Sequence, residues 1–118
     1  MKVLSLFDGI SCGMLALQRA GIPVECYDAF EIDKYAVTVS KRNFPVIVHH
    51  GNVYDGDFTQ FRGYDLLLGG SPCTYWSIAK KDREVDCNGE GFRLFKEYVR
   101  ALEESGCKYF LYENNYSV

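Results

Sequence analysis

Residues 65–77 of this chain read Asp65-Leu66-Leu67-Leu68-Gly69-Gly70-Ser71-Pro72-Cys73-Thr74-Tyr75-Trp76-Ser77. The apolar run 66–68 predicts a buried strand, because it is short and bounded by turn-forming residues. The two glycines allow a sharp turn and a close approach of another group. Pro72 restricts its own φ angle and biases Ser71 towards extended geometry. Cys73 is therefore expected on a stiff turn beyond the carboxyl end of a strand, where open α/β sheets bind ligands.

Two interpretations of Cys73 compete. A free cysteine is most often a small buried hydrophobic residue. The Gly-Gly-Ser-Pro segment before Cys73 favours a functional role instead, since rigid and costly backbone concentrates where a side chain must be aimed. No histidine accompanies Cys73, because His49 and His50 follow a different predicted strand, and this argues against a Cys-His hydrolase.

Composition limits the class of protein. The chain has 118 residues, enough for one domain with a modest core, and its 47% hydrophobic content is that of a soluble globular protein without a membrane-spanning run. Its five cysteines are odd in number and form no CxxC pair, which argues against a zinc cage or a disulfide framework. Reduced thiols in a cytosolic protein fit better.

The charge balance indicates no general nucleic-acid surface. The net charge is −3, and the basic cluster 80–83 is the nearest approach to a basic patch. Such a cluster is usually a solvated loop, but this one follows the Cys73 turn directly.

Strand and helix patterns alternate along the chain. Strands are predicted at 3–7, 24–30, 46–48, 66–68 and 108–112, and helices at 14–20, 33–43 and 92–105. Residues 55–57 predict a turn and residues 77–91 a polar, mobile loop. The alternation predicts an α/β fold, a Rossmann-like parallel sheet with helices on both faces and right-handed crossovers. We expect the strand order 3-2-1-4-5.

Unusual residues fall at the carboxyl ends of the predicted strands, which meet along one edge. The loop 8–13 leads into a helix and offers backbone N–H groups to a carboxylate or phosphate, but it is not a GxGxxG loop. Glu31 ends the second strand, where an acid can accept hydrogen bonds from both hydroxyls of a ribose. Together they indicate a ligand that contains a nucleoside, although Glu31 alone is equally well an exposed strand-end carboxylate.

Glu113 ends the fifth strand. A partly desolvated carboxyl group there is able to act as a general acid, whereas the simpler interpretation is a cap at the strand end. In the expected strand order Cys73 and Glu113 lie on neighbouring strands. A thiolate nucleophile beside a proton-donating carboxyl group is a usable catalytic pair.

Six segments, in order and spacing, resemble motifs of the cytosine-C5 DNA methyltransferases. They are 7–13 (the first S-adenosylmethionine motif), 31–33 (ribose binding), 51–53, 69–73 (the Pro-Cys nucleophile), 92–95 and 113–114 (Glu-Asn). The resemblance covers essentially the whole chain but only the front part of the usual domain. Its FDGI and GGSPC details look most like the de novo branch and its phage or bacterial relatives.

The resemblance implies a Rossmann-like S-adenosylmethionine-dependent methyltransferase fold with that cofactor. Phe7 would stack on the adenine, Glu31 would bind the ribose and Leu94 would line the adenine pocket. The implied cofactor-binding residues are Phe7, Asp8, Gly9, Ile10, Ser11, Cys12, Glu31, Ile32, Asn52, Val53, Gly70 and Leu94. Asn52 stands where the family usually has Asp, and its carbonyl oxygen can still accept a hydrogen bond from an adenine amino group.

The resemblance also implies a mechanism in which Pro72, Cys73 and Glu113 are catalytic. The Cys73 thiolate would add to C6 of a cytosine, Glu113 would hold ring N3 and assist its protonation, and C5 would take the methyl group. The cytosine must first leave the DNA helix. DNA contacts would come from the loop residues Ser77, Lys80, Lys81 and Arg83.

Two departures from the family pattern qualify these expectations. Asn115 stands where the family has Val after Glu-Asn, and the sequence ends at Val118, before the family's later arginine-bearing motif, target-recognition domain and final cofactor-side motif. We therefore expect residues 1–118 to be one partial catalytic domain, truncated after strand five and weakly active or inactive alone. We also expect self-association through the exposed sheet edge and a cytoplasmic location in a bacterial or phage-host cell.

Two alternatives to a working methyltransferase stay open. One is a non-catalytic or partner-dependent module that binds the cofactor without turnover. The other, less favoured, is an unrelated thiol enzyme on a nucleotide-binding fold.

Overall fold

The structure is a computed structural model, and it describes residues 1–71 and 89–114. The strands are β1 (Lys2–Leu6), β2 (Cys26–Phe30), β3 (Val48–His49), β4 (Leu66–Gly69) and β5 (Tyr109–Tyr112). The helices are α1 (Cys12–Arg19), α2 (Lys34–Asn43) and α3 (Glu90–Ser105), and two short 3₁₀ turns span Val53–Asp55 and Phe58–Phe61. None of the helices in these ranges has the length and apolar character needed to cross a membrane.

All strands pair in parallel, in the order β3-β2-β1-β4-β5, which confirms the predicted order and the Rossmann-like class. The register aligns Leu6 of β1 with Phe30 of β2 and with Gly69 of β4, and aligns Gly69 with Tyr112 of β5. Four neighbouring strands thus end at one level. The residues that follow them directly, Phe7, Glu31, Gly70 and Glu113, share one edge of the sheet.

The core lies on both faces of the sheet, as a parallel sheet requires. Leu4, Leu6 and Leu67 pack with Tyr98 and Ala101 of α3 on one face. On the other face, Val3, Tyr27 and Ala29 pack with Met14 and Leu17 of α1. Alternate residues of β1 therefore face opposite clusters. Burial of each large apolar side chain contributes about 1.5–3 kcal/mol of hydrophobic free energy to the fold.

The bounds of β3 and the end of β1 differ from prediction. The third strand is Val48–His49 rather than 46–48, because the Ile47 N–H donates to Phe44 O at 3.1 Å and closes a turn through Pro45. Val46 is 71% exposed as a result. The first strand ends at Leu6 rather than residue 7, because Phe7 adopts a positive φ of 55° that no strand can contain.

The helix starts and the second strand also differ from prediction. α1 begins at Cys12 instead of residue 14. β2 begins at Cys26 instead of residue 24, since the Glu25 N–H is bonded to Met1 O outside the ladder. α3 begins at Glu90, so the predicted loop 77–91 extended two residues too far. The rest of that loop lies outside the described residues.

Candidate cofactor and catalytic site

The loop after β1 has left-handed backbone at three positions. Phe7, Gly9 and Ser11 have φ angles of 55°, 62° and 70°. For the two non-glycine residues this conformation costs about 1–2 kcal/mol each. Backbone bonds stabilise the loop, with the Asp8 N–H donating to Phe30 O at 3.2 Å and the Ser11 N–H to Asp8 O at 3.1 Å. Strain of this kind tends to cluster at functional sites, and here it lies at the ligand-binding edge of the sheet.

The Asp8 carboxylate holds this loop from inside the protein. It accepts hydrogen bonds from Ser5 Oγ at 2.7 Å, from the Tyr27 hydroxyl at 2.6 Å and from Ser11 Oγ. Burial, with the nearby Asp8 charge adding to it, raises the pKa of Tyr27 far above its ordinary value. Tyr27 therefore stays a neutral donor, and Asp8 supports the loop rather than lining a cavity.

Glu31 joins the two loops that flank the ligand-binding edge. Its Oε1 accepts from the Gly9 N–H at 2.8 Å and its Oε2 from the Asp33 N–H at 2.9 Å. Asp33 in turn caps α2 by accepting from the N–H groups of Tyr35 and Ala36. Each carboxylate oxygen keeps a lone pair. Glu31 is thus held in one orientation while it can still accept hydrogen bonds from ligand hydroxyls.

A cavity of about 230 Å³ opens beside Glu31. Its lining includes the predicted cofactor residues Phe7, Glu31, Ile32, Asn52, Val53 and Leu94. These residues come from four separate segments of the sequence, so the fold brings together what the motifs only suggested. The other predicted cofactor residues are not in the lining: Asp8, Gly9, Ile10, Ser11, Cys12 and Gly70.

Sequence reasoning missed part of the cavity wall. Phe30, Tyr54 and Glu90 also line it, as does Gly51, which was noted only as part of a motif. The Tyr54 hydroxyl donates to Glu90 Oε1 at 2.8 Å. Burial and this bond raise the pKa of Tyr54 to about 12, so the hydroxyl stays protonated. Phe30 had a sequence signal, since it directly precedes Glu31, but the pairing of Tyr54 with Glu90 had none.

Asn52 has a structural function in addition to its place in the cavity. Its Oδ1 accepts from the Tyr54 N–H at 2.9 Å and so caps the first 3₁₀ turn. An amide oxygen has a second lone pair. The bond to Tyr54 therefore fixes the orientation of the amide and leaves one acceptor position for a ligand amino group.

The charge of the cavity selects among nucleoside ligands. Glu31 and Glu90 contribute carboxylates, but the Glu90 carboxylate accepts from the Tyr54 hydroxyl and lies 3.9 Å from Arg93 Nη1. The Glu31 carboxylate therefore supplies the negative charge beside the apolar wall, and this charge disfavours a phosphate group there.

Gly70 brings the ends of β4 and β5 into contact. A Cβ atom at this position would lie 2.0 Å from the carbonyl oxygen of Glu113, and the Glu113 N–H donates to Gly69 O at 2.9 Å. Any side chain at residue 70 would force the strand ends apart. Gly70 thus contacts Glu113, the proposed acid, rather than the cavity.

The Asn114 amide ties the end of β5 to the segment that leads to Cys73. Its Nδ2 donates to Ser71 O at 3.3 Å, to Ser71 Oγ at 3.2 Å and to the Tyr112 hydroxyl at 3.1 Å. The hydroxyls of Ser71 and Tyr112 lie 2.6 Å apart, and Ser71 is buried. Residue 71 is therefore fixed to the strand that carries Glu113.

The remaining predicted site residues differ in what the structure says of them. The expected partial desolvation of Glu113 is not found: its side chain is exposed, and within the described ranges no hydrogen bond reaches its carboxylate. Several predicted residues lie outside the described residues, namely Pro72, Cys73, Ser77, Lys80, Lys81 and Arg83.

These features define a class of site. A parallel Rossmann-like sheet, a strained loop after β1, an acid after β2 and an adjacent apolar cavity are the features with which such folds bind nucleosides at the carboxyl edge of the strands.

Comparison with known proteins identifies the family. The model of the C-5 cytosine-specific DNA methylase family matches residues 1–117, and the chain belongs to this family. This confirms the resemblance seen in the motifs. The family uses S-adenosylmethionine as methyl donor.

Similar proteins come from phages and bacteria. The chain is 38% identical over 118 residues to the orphan methyltransferase M.SPRI of Bacillus phage SPR, with 97% of the chain and 26% of that protein covered. It is 34% identical over 116 residues to the type II methyltransferase M.HgiCII of Herpetosiphon aurantiacus, with 96% and 25% covered. The chain thus spans about a quarter of the length of the curated relatives it matches.

Solved structures agree with the fold. A mutant of Spodoptera frugiperda DNMT2 superposes with a TM-score of 0.73 at 25% identity, covering 96% of this chain and 35% of that one. Dnmt2 of S. pombe superposes with a TM-score of 0.69 at 22% identity, covering 97% and 36%. The second likeness supports the fold alone.

Proposed function

We propose that this chain transfers a methyl group from S-adenosylmethionine to C5 of cytosine in DNA through a covalent Cys73 adduct. The observation that carries the proposal is the row of Phe7, Glu31, Gly70 and Glu113 directly after four register-aligned strands. The cavity beside Glu31 therefore lies on the same edge as Gly70, which stands three residues before Cys73 in the sequence.

The cavity fits the proposed cofactor. Phe7, Phe30 and Leu94 offer an apolar wall to an adenine ring. The Glu31 carboxylate has lone pairs for ribose hydroxyls, and the Asn52 amide oxygen has one for an amino group. The negative charge of the Glu31 carboxylate complements the positive charge of a sulfonium group. When bound, S-adenosylmethionine supplies the methyl group to C5 as its methyl–sulfur bond breaks.

The residues of the chain carry the other steps. The Cys73 thiolate forms a bond to C6 of a cytosine turned out of the helix, and the electron pair moves towards C5. Glu113 donates a hydrogen bond or proton at N3, where charge develops. After methylation, loss of the C5 proton to a base returns the electron pair, and the C6–sulfur bond breaks to release the thiolate. Ser77, Lys80, Lys81 and Arg83 are proposed to contact the DNA.

A trapping experiment tests the chemistry. The chain, and any longer version of it, is incubated with S-adenosylmethionine and DNA that carries 5-fluorocytosine, whose fluorine blocks the loss of the C5 substituent. We expect a covalent adduct that Cys73→Ser abolishes and the control Cys87→Ser retains. An adduct that survives Cys73→Ser would overturn the assignment of the nucleophile.

A binding measurement tests the cofactor site separately. Saturating S-adenosylhomocysteine should raise the melting temperature, because a ligand that binds only the folded state stabilises it. No shift at millimolar ligand would overturn the cofactor assignment for this chain.

A second candidate function is a cofactor-binding module that needs a partner for turnover. The observation that favours it is β5, where Tyr109, Phe110 and Leu111 are 52%, 60% and 62% exposed on an edge strand. Uncovered apolar edges invite pairing with another chain. A melting-temperature shift without an adduct would support this candidate, and light scattering at high concentration would test whether the partner is a second copy. In either case the proposed location is the cytoplasm of a bacterial or phage-infected cell.

A further inference from the structure

We infer that Arg100 of α3 is a positioning residue that holds the segment 52–54 in the geometry needed to recognise the adenine base. The inference rests on the proposed function, since it assumes that the cavity binds an S-adenosyl group. Arg100 does not line the cavity, whereas Asn52, Val53 and Tyr54 do. Its effect on the ligand must therefore act through that segment.

The guanidinium group donates to two backbone carbonyls of the loop. Arg100 Nη1 lies 2.9 Å from Gly56 O and Nη2 lies 3.0 Å from Val53 O. Val53 is the first residue of the first 3₁₀ turn, and its carbonyl also accepts from the Gly56 N–H at 3.2 Å, whereas Gly56 directly follows the turn. A single 3₁₀ turn is a weak unit by itself. The two bonds from Arg100 hold the first residue of the turn and the residue that follows it. They thereby fix the orientation of Asn52 and Tyr54.

Acidic residues and an aromatic ring hold Arg100 itself in place. Its Nε lies 2.6 Å from Glu97 Oε2, and Nη1 lies 3.1 Å from Glu104 Oε2. The guanidinium carbon stands 4.5 Å from the centre of the Phe58 ring. Glu104 Oε1 also accepts from the Phe58 N–H at 3.0 Å. The segment 53–58 is thus attached to α3 at both ends of its backbone.

The geometry depends on the planar fork of arginine. A lysine would keep the positive charge near Glu97 and Glu104, but one ammonium group cannot reproduce two parallel bonds to Val53 O and Gly56 O while it stacks on Phe58. Arg100→Lys therefore keeps the charge and removes the paired bonds, so any loss of ligand affinity in this variant reflects positioning of the segment 52–54 and not the charge.

The test uses a pair of ligands that differ only in the base. S-Adenosylhomocysteine presents an amino group that can donate to Asn52 Oδ1, whereas S-inosylhomocysteine presents a carbonyl oxygen at the same position. If Arg100 positions the recognising segment, its loss reduces affinity for the adenine ligand far more than for the hypoxanthine ligand. A loss of overall stability would weaken the two ligands alike.

We would measure both dissociation constants by calorimetry for the intact chain, Arg100→Lys, Arg100→Gln and the control Arg42→Gln, an exposed residue of α2 outside the cavity lining. Circular dichroism would establish the temperature at which each is folded. Both Arg100 variants should bind S-adenosylhomocysteine about tenfold more weakly, the size of one lost hydrogen bond. Their affinity for S-inosylhomocysteine should change less than about twofold, and the control should match the parent.

Glu104→Gln provides a second variant in case the Arg100 variants do not fold. It keeps Arg100 and weakens one of its charged partners, so a smaller loss with the same preference for the adenine ligand is expected. Equal losses for both ligands, or no loss, would overturn the inference while the proposed function stands. A parent chain that binds neither ligand would overturn the proposed function and the inference with it.

Discussion

Two glutamates, Glu31 and Glu113, end strands on opposite sides of β1 and are held in opposite ways. The Glu31 carboxylate accepts one backbone N–H on each oxygen, from Gly9 and Asp33. For Glu113 the backbone is held instead: its N–H donates to Gly69 O, and its carbonyl lies against Gly70. Among the residues that the structure describes, none donates a hydrogen bond to the Glu113 carboxylate.

The difference suits the two tasks that we propose for these glutamates. A group that binds a ligand gains from being fixed before the ligand arrives, because no ordering cost is then left for the binding step. A group that exchanges a proton must remain accessible to the reacting atom, so a fixed backbone and a free carboxyl group suit it. The β2 side of the site is organised through side chains, whereas the β4–β5 side is organised through close backbone packing.

The largest effect is expected where that backbone packing is blocked. Gly70→Ala places a Cβ 2.0 Å from Glu113 O, so the ends of β4 and β5 must separate. We expect a loss of about 3 kcal/mol or more in the free energy of unfolding, measured by urea denaturation.

Gly63→Ala is the matched control for Gly70→Ala. Gly63 has a φ of 88° and open space where a Cβ would stand, so alanine there adds conformational strain of about 1–2 kcal/mol without a clash. Equal losses for the two variants would contradict the close contact between Gly70 and Glu113.

Exchanging each glutamate for glutamine tests the division of tasks directly. Glu31→Gln removes the negative charge that accepts hydrogen bonds from the Gly9 and Asp33 N–H groups. A hydrogen bond to a charged group contributes about 1.5–3 kcal/mol. Binding of S-adenosylhomocysteine, measured by calorimetry, should weaken roughly tenfold to a hundredfold. Glu113→Gln should leave this affinity within about twofold while it abolishes the trapped DNA adduct. Similar losses of affinity in both variants would show that the two sides are not distinct.

A smaller effect is expected from the amide that joins β5 to Ser71. Asn114→Ala removes donors to Ser71 and Tyr112 that are partly buried, and should destabilise the fold by about 1–2 kcal/mol without changing S-adenosylhomocysteine affinity. Asn43→Ala removes one exposed bond, to Val39 O, and should cost less than about 0.5 kcal/mol. Thermal melting would compare the loss of stability in the two variants. Equal losses for Asn43→Ala and Asn114→Ala would contradict a stabilising link between Asn114 and Ser71.

The smallest effect concerns pH and belongs to the Glu31 side alone. Burial, with the charge of Lys41 adding to it, lowers the pKa of His49 from its ordinary value of 6.5. As pH falls, His49 is therefore protonated in the unfolded chain at a higher pH than in the folded chain. Its contribution to stability is complete above about pH 6.5 and is lost as pH falls through the pKa of the folded state. As pH is lowered from 8 to 5, urea midpoints should fall less steeply in His49→Gln than in the parent, and identical slopes would count against a neutral, half-buried His49 ring.

Much of the fold and part of the site were predictable because they depend on local pattern. Apolar runs that end in glycine or acid located the strands, and the alternation with helices implied the parallel sheet. Phe7 and Glu31 could be assigned to one edge because strand ends in such a sheet must meet there, whereas Asn52 was found through the family resemblance. Leu94 was found only through the family resemblance.

What could not be predicted depends on side-chain direction and on contacts between distant residues. The positive φ of Phe7 turns the following carboxylate, Asp8, inwards to Tyr27, and no sequence pattern reveals that rotation. The pairing of Tyr54 with Glu90 joins residues 36 apart and appears only after α3 has packed against the 3₁₀ turns. The contact of Gly70 with Glu113 likewise requires the register of β4 and β5.

The contact between Gly70 and Glu113 also sets a limit on how this chain can vary. The obstacle at position 70 is a main-chain carbonyl, which every possible residue at position 113 would present, so no second substitution at 113 can restore room for a side chain at 70. Position 52 is different, since Asn there makes a bond that Asp would also make. A library of random variants selected for folding should therefore retain only Gly at position 70 but both Asn and Asp at position 52.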